Sequence, residues 1–184
     1  QEHAARWKNC RLCSLCEGRK QVVLARGKVP CEVLFIGEAP GDSENVIGQP
    51  FVGPAGHLLQ SWIDKTMNGY TWAITNLVAC FPRKEKEEGT NEPPDKAVLA
   101  CKPRLQEFVR ICDGGVKALR LIVCVGSLSR DWLDPKARDH IEFHREMPTI
   151  HIIHPAAVLK ANFVSRPLLV KKAVVTLANA IESL

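Results

Sequence analysis

The alternation of apolar and polar positions divides the chain into short strands and longer helices. Val33-Leu34-Phe35-Ile36 is a continuous apolar run that stops at Gly37, the pattern of a strand buried on both faces. Over residues 54–65, Leu58, Leu59, Trp62 and Ile63 fall on one side of a helix. Trp72-Ala73-Ile74-Thr75 predicts a second strand ending at Asn76. A helix starting at Pro94 or Asp95 then turns Val98, Leu99, Leu105, Phe108 and Val109 inward. Residues 119–125 form a third strand closing at Gly126-Ser127, with Ser127 as the N-cap of a short helix through Trp132. Residues 150–153 form a fourth strand closing at His154-Pro155. Ser165 caps a last helix whose Val170, Val174, Leu177 and Ile181 repeat at helical spacing. Residues 83–95, polar and punctuated by Gly89 and Pro93-Pro94, read as a loop. There is no internal repeat.

Strands alternating with helices predict an α/β fold, a parallel sheet covered on both faces, in one domain over residues 1–184. Such sheets bind ligands outside the carboxyl ends of their strands. Function is therefore expected at Gly37-Glu38, Asn76, Gly126-Ser127 and His154.

With 46% apolar and 24% charged residues the chain has the composition of a folded domain, not of a disordered one. Its longest apolar runs are far below membrane-spanning length, so no membrane partner is expected. The first seven residues hold no apolar signal core, and the expectation is an intracellular, cytoplasmic protein. Charge changes the picture more. The formal net charge of +5 lies wholly in residues 1–30, a basic N-terminal segment with Arg6, Lys8, Arg11, Arg19, Lys20, Arg26 and Lys28 against Glu2 and Glu17. A basic end on a neutral body suits an anionic partner such as nucleic acid, or is simply a solvated tail.

Eight cysteines are too sparse for the disulfide scaffold of a small secreted domain, so metal or cluster ligation outranks disulfides. Cys10-Arg11-Leu12-Cys13 is a C-x-x-C, with Cys16 repeating the interval. Cys80 and Cys101 complete a possible four-ligand site for zinc or an iron–sulfur cluster. Cys112 and Cys124 read as packed thiols.

The first strand end, Gly37-Glu38-Ala39-Pro40-Gly41-Asp42, lacks the glycine spacing of dinucleotide and Walker-type phosphate sites. Its tight turn exposes backbone N–H groups. It is a candidate substrate-binding element through Gly37, Ala39, Gly41 and Asp42, or a bare turn. Phe51 sits among glycines and prolines, where its ring can stack on a flat ligand such as a base or plug the edge of the core. The amide of Asn76 offers both donor and acceptor to a pyrimidine edge, or belongs to a turn. His154 can donate to developing negative charge, or be structural. His144 and His151 show no functional signal.

The motifs Gly37-Glu38-Ala39-Pro40-Gly41, then Gly48-x-Pro50-Phe51-Val52-Gly53-x-Ala55-Gly56-x-Leu58-Leu59, then Thr75-Asn76-x-Val78-x-Cys80, then His154-Pro155-Ala156-Ala157-x-Leu159 occur in one order along the chain. Together with the C-x-x-C and Cys101 before Pro103-Arg104-Leu105, this order resembles the family-4 uracil-DNA glycosylases over nearly the whole length. The resemblance implies a three-layer α/β/α sandwich with a central four-stranded parallel sheet. It also implies a structural [4Fe–4S] cluster on Cys10, Cys13, Cys80 and Cys101, with Cys16 as an alternative to Cys13. Phe51 is then the residue that stacks on a flipped uracil, and Asn76 the one that reads its polar edge. His154 is the one that stabilises the departing base, and Glu38 acts through water or the cationic sugar. The implied activity is monofunctional uracil excision from single- or double-stranded DNA by a monomer, leaving an abasic site. The alternative is a relative that only binds DNA or removes another base. The basic segment, Lys160 and Arg166 would hold phosphates, and Leu159 is a wedge or a core residue.

Three departures stand out. The interval from Cys80 to Cys101 is longer than the family pattern leads one to expect, with its extra residues around 83–89 as a modified DNA-facing loop or partner site. Asn45 stands where an acid is frequent. Residues 81–95 hold no histidine, so covalent trapping of DNA is not expected.

Overall fold

Strands β2 (Val33–Gly37), β3 (Trp72–Asn76), β4 (Leu121–Val125) and β5 (Thr149–Ile152) run parallel in the order β3-β2-β4-β5. The computed structural model describes residues 1–83, 92–137 and 140–184. The expected four parallel strands are present, and the sheet gains a fifth. β1 (Ala25–Gly27) pairs antiparallel with β3 at the edge. Three residues are too few to show a periodicity, which is why the pattern of the sequence passes over this strand.

The pleat divides the core in two. Leu34, Ile36, Ile122 and Cys124 face one side, against α5 (Asp95–Asp113) and α6 (Ser127–Leu133). Val33, Phe35, Leu121 and Val123 face the other, against α4 (Pro54–Thr66) and α8 (Ser165–Glu182). Side chains that alternate in this way, each set apolar, require both faces to be covered. The three layers follow. Short helices α1 (Glu2–Trp7), α2 (Leu15–Gly18), α3 (Asp42–Ile47) and α7 (Pro155–Lys160) fill the connections. No helix among the described residues is long and apolar enough to cross a membrane.

Several local expectations shift. Ser127 and Ser165 are the first residues of their helices and make no side-chain cap; near α8 it is Asn162 Oδ1 that accepts the Ser165 N–H at 2.8 Å. Leu99 faces solvent, not the core. It sits beyond the edge of the stripe formed by Ala97, Val98, Leu105, Phe108 and Val109, which is the buried face of α5. Much of the loop read over 83–95, residues 84–91, lies outside the described residues.

One buried acid pins the far side of the sheet. Asp113, at the end of α5, accepts from Arg145 Nη2 at 2.9 Å, Arg145 Nε at 3.1 Å and the Leu119 N–H at 3.2 Å, with His144 Nε2 at 2.7 Å. The Arg145 guanidinium, first among these partners, holds the Asp113 carboxyl well below the usual carboxylate range. Its folded-state pKa is depressed, so its contribution is fully present above the unfolded value of 3.8 and is lost as pH falls. Asp113→Asn is expected to lower stability by about 2 kcal/mol near neutrality and to flatten the acid side of the stability profile, measured by urea unfolding between pH 3 and 7.

Candidate active site

The carboxyl ends of β2, β3 and β5 open into one cleft of about 570 Å³, lined among others by Glu38, Phe51, Asn76 and His154. These four residues are far apart in the chain. Glu38, Asn76 and His154 meet because parallel strands all end on the same edge of the sheet, and the loop before α4 adds Phe51.

Phe51 stands in a left-handed backbone conformation (φ 55°) that a bulky residue rarely adopts. Two charged side chains hold it there. Glu44 accepts the Val52 and Gly53 N–H groups at 2.8 Å each through Oε1, and the Gly41 N–H at 3.0 Å through Oε2. Arg26 donates to the Pro50 carbonyl at 2.9 Å and to that of Phe51 at 3.4 Å, and lies 5.4 Å over the Trp72 ring. The Phe51 ring is 5.9 Å from that of His154, tilted by 33°.

Asn76 is almost fully buried, and among the described residues its Oδ1 has no hydrogen-bond partner. Such an atom lowers stability unless a ligand satisfies it. Gly37 lies directly beneath: a Cβ there would come within 2.5 Å of both Asn76 Oδ1 and Phe51 Cζ. Gly37→Ala is therefore expected to keep the fold but displace the ring or the amide. A shift of about 1 Å lowers a rate by about 100-fold, so a rate assay beside a melting curve decides the point.

His154 Nδ1 accepts the Ala156 N–H at 3.1 Å. Burial pushes the ring's pKa down to about 4, so it is neutral near pH 7 and carries its proton on Nε2. Glu38 accepts weakly from the Leu128 N–H at 3.3 Å, and burial pushes its carboxyl up, with Glu92 and Asp131 adding to the effect. Gly126 (φ 102°) packs between these two residues, where a Cβ would meet the Glu38 carboxylate and His154 Cδ2. The cleft thus combines a flat ring, an unpartnered amide, a neutral imidazole N–H and a carboxyl group.

Ala39 and Gly41 also line the cleft, whereas Asp42 is exposed at the start of α3 and does not. Lys160 lines it too, and Leu159 is part-exposed, outside the core. Glu44 and Glu92 were not singled out for the site from the sequence. The spacing Gly41-x-x-Glu44 at a helix start was the available signal for the first, and nothing local marks the second. Asn45, in place of a frequent acid, accepts the Lys20 N–H at 2.8 Å and so fastens the N-terminal segment to α3. That segment is less free for phosphates than its charge suggests. Arg26 holds the Phe51 loop, Arg19 donates to Cys80 Sγ at 3.2 Å, and Arg6 pairs with Glu107 at 2.9 Å. Lys8, Arg11, Lys20 and Lys28 remain exposed.

On the other side of β3 a second cavity is lined by Cys10, Cys13, Cys80 and Cys101, with Arg19 and Arg104 beside them. Cys16 does not line it. Burial pushes the Cys80 thiol up to about 11, so a cation must displace its proton for it to become a ligand. Among the described residues no three His, Cys, Asp or Glu side chains converge on one point as a single bound ion requires. Four thiols around a shared void, flanked by guanidinium groups, are a donor set that fits an anionic iron–sulfur cluster. Cys112 and Cys124 are buried in the core as packed thiols.

Residues 25–178 match the family described as the Uracil DNA glycosylase superfamily. The chain is similar to three proteins named Type-4 uracil-DNA glycosylase. That of Saccharolobus solfataricus is 39% identical over 100 residues, 53% of this chain and 44% of the relative. That of Sulfurisphaera tokodaii is 28% identical over 167 residues, 82% of this chain and 71% of the relative. That of Pyrobaculum aerophilum is 36% identical over 124 residues, 66% of this chain and 58% of the relative. In the first and third of these the match spans less than two thirds of the relative's own length.

Proposed function

The chain belongs to the uracil-DNA glycosylase superfamily, and on that footing we propose that it hydrolyses the N-glycosidic bond of uracil in DNA and leaves an abasic site. The observation that carries this reading is the buried, unpartnered Oδ1 of Asn76, in a cleft shared by a stacking ring and a neutral imidazole. A flipped uracil supplies what that amide lacks, an N–H and a carbonyl on one edge.

The mechanism follows from the charges that the reaction creates. Breaking the bond places positive character on the sugar and negative charge on the base. Phe51 stacks on the extruded ring and helps offset the few kcal/mol of unstacking. Asn76 fixes the polar edge. His154 Nε2–H donates to the base oxygen as it gains charge, a contribution of about 3–4 kcal/mol for a donor already oriented. Glu38, when ionised, opposes the sugar's charge or orients the attacking water. Ala39 and Gly41 shape the wall that receives the base, with Gly37 beneath it, and Asp42, outside the cleft, takes no part. Lys160 with the exposed lysines and arginine of the N-terminal segment holds phosphates without reading sequence. The four site groups lie within one chain, so the proposed reaction needs no second copy, and a monomer acting on intracellular DNA is part of the proposal.

A [4Fe–4S] cluster fits the second cavity, held by Cys10, Cys13, Cys80 and Cys101. When bound it supplies a structural cross-link between the N-terminal segment and the turn after β3. A visible absorption near about 400 nm that is lost in Cys10→Ser and Cys101→Ser is the expected sign. Loss in Cys16→Ser but not in Cys13→Ser overturns the ligand set. The function is tested by abasic-site formation on a uracil-containing oligonucleotide. Binding without cleavage would leave a DNA-binding relative, and cleavage at another base would shift the substrate.

A further inference from the structure

Arg104 has an unusual position for an arginine. It lies in the interior of α5, only 1% exposed, and among the described residues no carboxylate pairs with it. A buried charge without a counter-charge is strongly destabilising. Its donors lead to the peptide that carries the amide of the site. Nη1 donates to Thr75 Oγ1 at 2.8 Å, and Nη2 donates to the Asn76 carbonyl at 2.5 Å and to the Leu77 carbonyl at 2.9 Å. Thr75 Oγ1 in turn donates to the Leu24 carbonyl at 2.6 Å. Arg104 Nε is buried with no acceptor among the described residues, on a side chain that lines the four-cysteine cavity.

We propose that Arg104 is a positioning residue that joins the four-cysteine site to Asn76: its charge is balanced by the anionic site on one side, while its fork holds the Asn76 peptide on the other. The inference rests on the reading above, in which the cavity holds a cluster and Asn76 reads the base. It adds that the two sites, on opposite sides of β3, share one side chain. Asn76 is tied at its backbone by Arg104, and its side chain is left free for the ligand.

Lysine keeps the charge but cannot form the fork, and glutamine keeps neither, so the two roles separate. In the cluster-bearing protein, Arg104→Lys is expected to leave the cluster's reduction potential near that of the unaltered protein. Its single-turnover excision rate at saturating DNA should fall about 10- to 100-fold with DNA affinity unchanged. Arg104→Gln should show the same loss of rate and a potential moved to more negative values, because a nearby positive charge has gone. Free uracil should bind both variants more weakly than it binds the unaltered protein. If Arg104→Gln does not fold, the Lys variant still separates rate from potential. The proposal is overturned if the Lys variant excises at the original rate, or if removing the charge leaves the potential where it was. A colourless unaltered protein that excises uracil removes the cluster and this inference with it, while the proposed function stands. A coloured protein without excision removes the function.

Discussion

Asn76→Ala is expected to slow uracil excision by about 100- to 1,000-fold while leaving the protein as stable as before, or more so. The two halves have one cause. A side chain that earns stability makes hydrogen bonds inside the protein, and Asn76 Oδ1 makes none. Removing it deletes an unsatisfied buried acceptor, so the thermal midpoint should hold or rise. The same atom is one of the few polar groups that can pair with the edge of a base in the cleft, so its loss falls on recognition and on rate. Single-turnover kinetics and calorimetry on one preparation decide the matter. A variant that melts several degrees lower with its rate intact would make Asn76 structural.

His154→Ala should cost about 100- to 1,000-fold in rate, with His154→Gln recovering part of it because an amide N–H can replace the donor. The pH profile carries the finer test. With the ring's pKa pushed down to about 4 by burial, His154 stays neutral from pH 6 to 8 and produces no inflection there. The acid limb of the profile belongs instead to Glu38, whose carboxyl burial pushes up from its ordinary value. Glu38→Gln should abolish that limb, and His154→Gln should retain it. Stability moves in a stated direction too. Between about 4 and the unfolded value of 6.5 the unfolded chain binds more protons at this ring than the folded one does. Stability is therefore lost as pH falls through that window, and His154→Gln should remove that part of the slope. An inflection near pH 6.5 that disappears with His154 would refute the neutral-donor mechanism.

The parallel strands were legible because their cause is local. A run such as Val33-Leu34-Phe35-Ile36 admits one burial pattern, and its end at Gly37 places Glu38 at the edge of the sheet whatever surrounds it. Asn76 and His154 follow from the same rule. Leu99 misled because an apolar side chain is counted as inward, while the buried stripe of α5 through Val98, Leu105, Phe108 and Val109 leaves it outside. β1 was hidden by its length alone.

Charge was the least legible property. Arg26 counts in the sequence as part of a basic segment open to phosphate, yet in the fold it holds the Phe51 loop in its strained backbone conformation. Arg104 enters the sequence reading only within the Pro103-Arg104-Leu105 motif, yet it is buried and carries the peptide of Asn76. The order of the four parallel strands and of the long helices between them, the covering of both sheet faces and the residues offered at the strand ends could be read from the chain, because each depends on neighbours within one element. Only the folded chain decided which charged groups face solvent and which are enclosed, because the partners of Arg26 and Arg104 in the site lie 24 to 29 residues away and no local pattern encodes a contact across that distance.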